Sequence, residues 1–271
     1  MKMEVTEVKV NDIEIHYRSY GQGEPLLLIM GLGGNADWWD EEFLHPLSES
    51  FQVVTFDNRG TGRSSKPDGP YSIAQMASDA VGLMDQLGWK SAHIAGISMG
   101  GMIAQELACT YPQRVRRLVL ISTNCGGKEQ VLASPEAYTT LNMPREKMKG
   151  EDIIKAMLPL LYPPEFMERN PDRVQKTVEN ALVVPTPPRC FAAQLAAIVG
   201  WSIYPRLREL SNPTLIITGG KDVLIPPDNA RILAEAIPNS RLVEIPEAGH
   251  GITAMFPLEV AREITSFLTG E

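Results

Sequence analysis

Short runs of consecutive apolar residues recur along this chain, and stretches with helical spacing lie between most of them. The runs are Leu26–Met30, Phe51–Phe56, His93–Ile97, Leu118–Ile121, Thr214–Thr218 and Leu242–Ile245. A strand without polar alternation has no face to offer to water, so it must be covered on both sides, which is the situation of a parallel sheet between helices. The helical stretches Ile73–Leu87, Met99–Thr110, Asn229–Ala236 and Leu258–Leu268 supply that cover. Only the first twenty residues alternate. Val5, Val8 and Val10, then Ile13, Ile15 and Tyr17, flank Asn11-Asp12, the pattern of an antiparallel hairpin turned at Asn-Asp. The expected fold is α/β: a mostly parallel central sheet with an N-terminal antiparallel hairpin and helices on both faces.

One interval breaks the rhythm. From Asn124 to Pro205 there is no buried-strand run, and ten of the chain's 21 prolines fall there. Its apolar residues recur at helical spacing, as in Ile153, Ile154, Met157, Leu158 and Leu161, and the prolines should cut it into short helices. We read residues 124–205 as a helical lid inserted into a core made of residues 1–123 and 206–271. The segment Val183-Val184-Pro185-Thr186-Pro187-Pro188 is the candidate hinge or rigid turn of that lid.

Composition excludes several classes. Twenty-five basic against 33 acidic residues leave a net charge of −8, with no basic run to hold nucleic acid or an anionic membrane. No apolar run approaches the roughly 20 residues of a membrane span. Charged residues stand in Met1-Lys2-Met3-Glu4-Val5, where a signal peptide would be apolar. Cys109, Cys125 and Cys190 are too few and too scattered for a disulfide framework or a zinc site. A cytoplasmic enzyme acting on a small molecule is the expectation.

The chemistry centres on Gly96-Ile97-Ser98-Met99-Gly100-Gly101, between a buried strand and a helix. A serine on such a sharp strand-to-helix turn needs neighbours without side chains, and glycines stand two before and two after it. The turn sets the hydroxyl at a helix N-terminus, where free N–H groups favour developing negative charge. A nucleophilic serine needs a base, and the base an orienting carboxylate. Of the four histidines, His16, His45 and His93 belong to the hairpin, the first helical region and a strand. His250 lies in a loop after the last strand, at the sheet edge where sites assemble. Asp222 follows the strand Thr214–Thr218 at that same edge, whereas the loop after Leu118–Ile121 offers only Ser122-Thr123-Asn124. Asp222 is therefore the acid by elimination.

The chain resembles the α/β-hydrolase superfamily over essentially its whole length, in its lidded serine esterase and lactonase branch. The elbow Gly-Ile-Ser-Met-Gly-Gly carries that likeness, with Asp57-Asn58-Arg59-Gly60-Thr61-Gly62-Arg63-Ser64 and Gly249-His250. The resemblance implies oxyanion donors at the backbone N–H groups of Leu32 and Met99. It also implies an architectural role for the Asp57 loop. Met30 stands where many relatives carry histidine. The superfamily includes carboxylesterases, enol-lactone hydrolases and N-acyl-homoserine lactone hydrolases. The glycines of Gly31-Leu32-Gly33-Gly34-Asn35-Ala36 also fit a dinucleotide fingerprint, with Asp57 at the distance of a ribose-binding acid. That reading leaves the elbow, Asp222 and His250 without a purpose.

The expected reaction is hydrolysis of a carboxylic ester or lactone through an acyl-enzyme, with no cofactor and no metal. An N-acyl-homoserine lactone hydrolase with general esterase activity is one form of that expectation. A cofactor-free perhydrolase or haloperoxidase, or a ligand receptor on the same scaffold, is the alternative. Trp38, Leu160, Tyr162, Phe191 and Trp201, with Leu32 and Met99, are the candidate pocket walls. Together they favour an aliphatic acyl chain over a charged polar substrate.

Overall fold

The computed structural model describes residues 3–270; Met1 and Lys2, part of the N-terminal segment considered above, and Glu271 lie outside the described residues. The alternating segment forms β1 (Met3–Val10) and β2 (Ile13–Tyr20). Asn11 takes a φ of 53° in the turn between them, a left-handed conformation that asparagine tolerates. The apolar runs become β3 (Glu24–Ile29), β4 (Phe51–Phe56), β5 (Ala92–Ile97), β6 (Val115–Ile121), β7 (Thr214–Gly219) and β8 (Ser240–Ile245). All eight join one sheet in the order β1-β2-β4-β3-β5-β6-β7-β8. The β1–β2 and β2–β4 pairs are antiparallel and the remaining pairs parallel.

The continuous runs are apolar because successive residues point to opposite faces and both faces are core. Leu27, Ile29, Ile94, Leu118, Leu120 and Ile216 pack on one side with α2 (Ile73–Gln86) and α3 (Met99–Thr110). Leu26, Leu28, Ala95, Val119, Ile121 and Leu215 pack on the other. Their partners there are α1 (Glu41–Ser50) and, near the C-terminus, Val260, Ala261, Ile264 and Leu268.

Between β6 and β7 the chain forms α4 (Pro135–Leu141), α5 (Gly150–Leu161), α6 (Pro164–Arg169), α7 (Pro171–Val183) and α8 (Pro188–Val199). Prolines begin four of these five, at Pro135, Pro164, Pro171 and Pro188, where the missing N–H costs nothing and the fixed φ suits the first turn. The same prolines that interrupt the helices therefore also start them. Leu158, Tyr162, Val178 and Met255 form a small separate core that fastens the insertion to the sheet domain. The chain closes with α9 (Asp228–Ala236), α10 (Ile252–Met255) and α11 (Pro257–Thr269). Among the described residues no single helix is long and apolar enough to cross a membrane. The pair α7 and α8 passes on length and composition but is bent by 105°.

Candidate active site

The sheet order places β4 on one side of β3 and β5 on the other, so the loops leaving β3 and β5 part in opposite directions and open a crevice at their carboxyl ends. Gly31-Leu32 follows β3 and Ser98 follows β5, on strands paired at Ile29 and Gly96. Ser98 has φ 56° and ψ −123°, a conformation that side chains rarely adopt. It persists because the turn is held on both sides. Ser98 N–H donates to the Ile121 carbonyl at 2.9 Å, and the N–H groups of Gly101 and Met102 donate to the Ser98 carbonyl at 2.9 and 3.2 Å. The glycines are needed for close approach. A Cβ on Gly96 would lie 2.1 Å from the Gly100 carbonyl oxygen, and one on Gly100 would lie 2.0 Å from that of Ile29.

Asp222 and His250 come from the adjacent strands β7 and β8. Their loops are cross-braced: Lys221 N–H donates to the Ala248 carbonyl at 2.8 Å and Gly220 N–H to that of Ile245 at 3.0 Å. Asp222 Oδ2 lies 2.7 Å from His250 Nδ1, and both side chains are buried. Asp222 Oδ1 accepts from the N–H groups of Leu224 and Ile225 at 2.9 and 2.8 Å, which leaves Oδ2 for the imidazole. His250 and Ser98 line the same cavity. The loop after β6, without a carboxylate, is structural: Thr123 Oγ1 donates to the Ser98 carbonyl at 2.8 Å, and a Cβ on Gly101 would lie 2.6 Å from Thr123 Cβ.

The loop after β3 approaches the serine closely, since a Cβ on Gly31 would stand 3.1 Å from Ser98 Cβ. Leu32 N–H follows it directly, and Met99 N–H begins α3. This loop is held from outside by a residue the sequence reading passed over. Gln194, on α8 and fully buried, accepts from Gly33 N–H at 2.9 Å and donates to the Arg59 carbonyl at 2.9 Å. Its place on the buried face of α8, with Cys190, Phe191 and Ala197, marks it as covered, but its partner lies far off in the chain. The segment expected to be a hinge or rigid turn is anchored as well. Asn35 Nδ2 donates to the Val184 carbonyl at 2.9 Å, and Thr186 Oγ1 to that of Gly33 at 2.8 Å. The dinucleotide reading fails here, because after the glycines the chain passes through a short 3-10 turn, Ala36–Trp38, and α1 begins only at Glu41. The helix that follows the glycines in the chain therefore does not begin at them, as a pyrophosphate-binding helix would.

Asp57 ties the far end of the loop, accepting from Ala36 N–H and Arg63 N–H, each at 2.7 Å. Burial works to raise its carboxyl, but the His16 ring 3.4 Å away and the hydrogen bonds from Arg63 and Ala36 outweigh it and hold it below the ordinary carboxylate value. Burial pushes the thiols of Cys109 and Cys125 up to about 11, so neither competes as a thiolate nucleophile. Among the described residues no three His, Cys, Asp or Glu side chains are grouped so as to hold a metal ion.

The cavity above Ser98 has a volume of about 600 Å³, within the usual range for small-molecule sites. Trp38, Tyr162 and Phe191 line it, as does Leu32. Leu160 and Trp201 do not, and neither does the Met99 side chain, which is buried in the core. Leu160 sits in the last turn of α5, against the Gly220–Val223 loop, where it borders a smaller recess. Trp201 packs beside α3, its indole N–H donating to Glu106 at 2.9 Å, because a buried indole must satisfy its donor. Instead α5 presents Ile153, Ile154, Met157 and Leu161 to the cavity. Arg145, unremarked in the sequence, lines it too.

A sequence model of the alpha/beta hydrolase fold matches residues 24–253. The chain belongs to the α/β-hydrolase family. It is 32% identical to a family protein provisionally named carbamate hydrolase RutD, from Azorhizobium caulinodans, over 96% of each chain. Among solved α/β-hydrolase structures it is similar to the enol-lactonase of Burkholderia xenovorans LB400, with 28% identity and a TM-score of 0.86, covering 97% of this chain and all of that one. It is likewise similar to an N-acyl homoserine lactone degrading enzyme, with 29% identity and a TM-score of 0.83, again covering 97% and 100%.

Proposed function

We propose that this α/β-hydrolase is a serine hydrolase of carboxylic esters or lactones with an aliphatic acyl portion. The observation that carries the reading is that His250, paired with the buried Asp222, shares one cavity with a serine held at positive φ on a strand-to-helix turn. In this reading His250 takes the Ser98 proton as Oγ attacks the carbonyl carbon. Asp222, its Oδ1 held by two backbone N–H groups, fixes the imidazole tautomer and stabilises the imidazolium. The oxyanion is held by Leu32 N–H and Met99 N–H, at ~10²–10³ in rate per donor in comparable sites. Proton return from His250 expels the alcohol, and water activated by the same imidazole releases the acid.

The lining supports the substrate class, since the walls are supplied largely by Leu, Ile, Met and aromatic side chains, with the helical insertion acting as a lid. The name of the Azorhizobium relative makes a carbamate the competing substrate, but a small carbamate would leave most of a cavity of about 600 Å³ unfilled. The names of the lactone-cleaving neighbours favour a cyclic ester. The test measures kcat/KM for an N-acyl-homoserine lactone, a linear ester of matched acyl length and a simple carbamate, followed by proton release at constant pH. Turnover of either ester, abolished in Ser98→Ala, upholds the reading, and turnover of the carbamate alone overturns it.

A further inference from the structure

Arg145 stands in the turn between α4 and α5, and only 8% of it is exposed. Its Cζ lies 3.6 Å from the centroid of the Phe191 ring, and both residues line the large cavity. Nη2 donates to the Leu141 carbonyl at 3.1 Å and rests 3.4 Å from Met157 Sδ. Nε and Nη1 meet no acceptor, and no carboxylate lies within ion-pair distance, among the described residues. Two other arginines set into the protein are neutralised, Arg18 by Asp37 and Arg59 by Asp12 and Asp79. A guanidinium keeps its charge under any ordinary condition, and placing one among apolar walls without a counter-ion is unfavourable. Stacking on Phe191 covers one face of the plane and leaves its donor edge unspent.

From this unpaired, buried cation we infer that Arg145 anchors the substrate, and that the substrate carries a carboxylate at the end remote from the scissile carbonyl. The placement suits that role. The Phe191 ring packs against the loop that follows β3, since a Cβ on Gly33 would lie 2.8 Å from Phe191 Cδ2. The ring thus touches both this loop and the guanidinium, and Ser98 and Arg145 line one cavity, so an acyl chain with its carbonyl over Ser98 can extend along the wall toward Arg145. A carboxylate accepts from a guanidinium edge in two parallel hydrogen bonds. Burial pushes the guanidinium pKa down from its ordinary value with no carboxylate to oppose it, a state that a bound carboxylate would relieve. The apolar walls then hold the chain between two polar ends, which amends the expectation of an uncharged acyl group.

The inference rests on the ester-hydrolase reading for its chemistry, and its test separates the two. The probes are the monoethyl esters of linear α,ω-dicarboxylic acids and the ethyl esters of monocarboxylic acids of the same chain lengths. At the best length the wild-type enzyme is expected to prefer the acid-ended ester by at least about tenfold in kcat/KM, mainly through KM. That preference ratio should collapse in Arg145→Met and survive in part in Arg145→Lys, with thermal midpoints confirming that both variants fold. In parallel, calorimetry with the free α,ω-dicarboxylate on Ser98→Ala protein reads the site without turnover, and the Ser98→Ala/Arg145→Met double variant should lose that binding. Binding without hydrolysis of any ester would uphold the anchor and overturn the ester reading. A wild-type ratio near one, or one unchanged in Arg145→Met, would overturn the anchor while leaving ester hydrolysis standing.

Discussion

At Ser98 the backbone holds a residue with φ 56° and ψ −123°, a conformation that costs of order 1–3 kcal/mol. The strain belongs to the turn and not to the hydroxyl, so Ser98→Ala should fold with a midpoint close to that of the parent while ester turnover falls to background. Retention of most activity would remove Ser98 from the mechanism. Asp222→Asn keeps the two backbone hydrogen bonds on Oδ1 but presents an amide to His250 in one of its two orientations. The expected loss is about 10⁴ in kcat, the scale of the same change in a serine protease, with far-UV circular dichroism unchanged. Gly31→Ala tests the approach of the loop after β3. A methyl 3.1 Å from Ser98 Cβ and 3.6 Å from Oγ displaces either the nucleophile or Leu32, so kcat should fall by at least about tenfold with KM little altered.

At the scale of elements, α8 serves the site from outside the sheet. One helix carries Phe191, in the cavity wall, and Gln194, whose amide joins the loop after β3 to the loop after β4. Gln194→Ala strands the Gly33 N–H and the Arg59 carbonyl, at about 1–3 kcal/mol each if both stay dry. The expected result is a lowered urea midpoint together with a kcat loss exceeding the KM change, because Gly33 neighbours Leu32. A loss of stability with unaltered kinetics would confine Gln194 to a structural role. The anchoring of Val184 and Thr186 to Asn35 and Gly33 has a related consequence, for movement of this part of the insertion must break hydrogen bonds to the loop that flanks Ser98.

For the whole molecule, the sheet's burial on both faces sets how the fold responds to acid. His93 on β5 is buried beside Phe51, and its Nδ1 has no partner. Burial lowers its pKa from the ordinary 6.5, against the opposing pull of Glu24. A histidine with a lowered folded value binds fewer protons in the native than in the unfolded chain, so its contribution is complete above about pH 6.5 and declines below it. Asp57, also lowered, adds a loss of the same sign as the pH falls below its ordinary 3.8. Urea midpoints should therefore be level from pH 8 to 7 and decline from pH 6.5 downward. The part of the decline between pH 6.5 and 5 should be reduced in His93→Gln, and an unchanged slope there would remove His93 as its source.

What the sequence by itself determined is what depends on local pattern. Continuous apolar runs belong to strands with two covered faces, alternation at Val5–Tyr17 belongs to a hairpin, and glycines about Ser98 belong to a turn too tight for side chains. Each of those signals lies within a few residues of the structure it dictates. The tertiary structure alone decided which of the insertion's apolar side chains face the cavity. Leu160 and Leu161 are chain neighbours, yet only Leu161 lines it, and Trp201 turns to Glu106 instead. Periodicity tells that a residue is covered but not by what, because the covering surface is brought from distant parts of the chain. The same reason hid Gln194 and Arg145. A hydrogen bond from Gly33 to a glutamine 161 positions away, and a cation whose want of a counter-ion is visible only once every neighbour is placed, have no local signature.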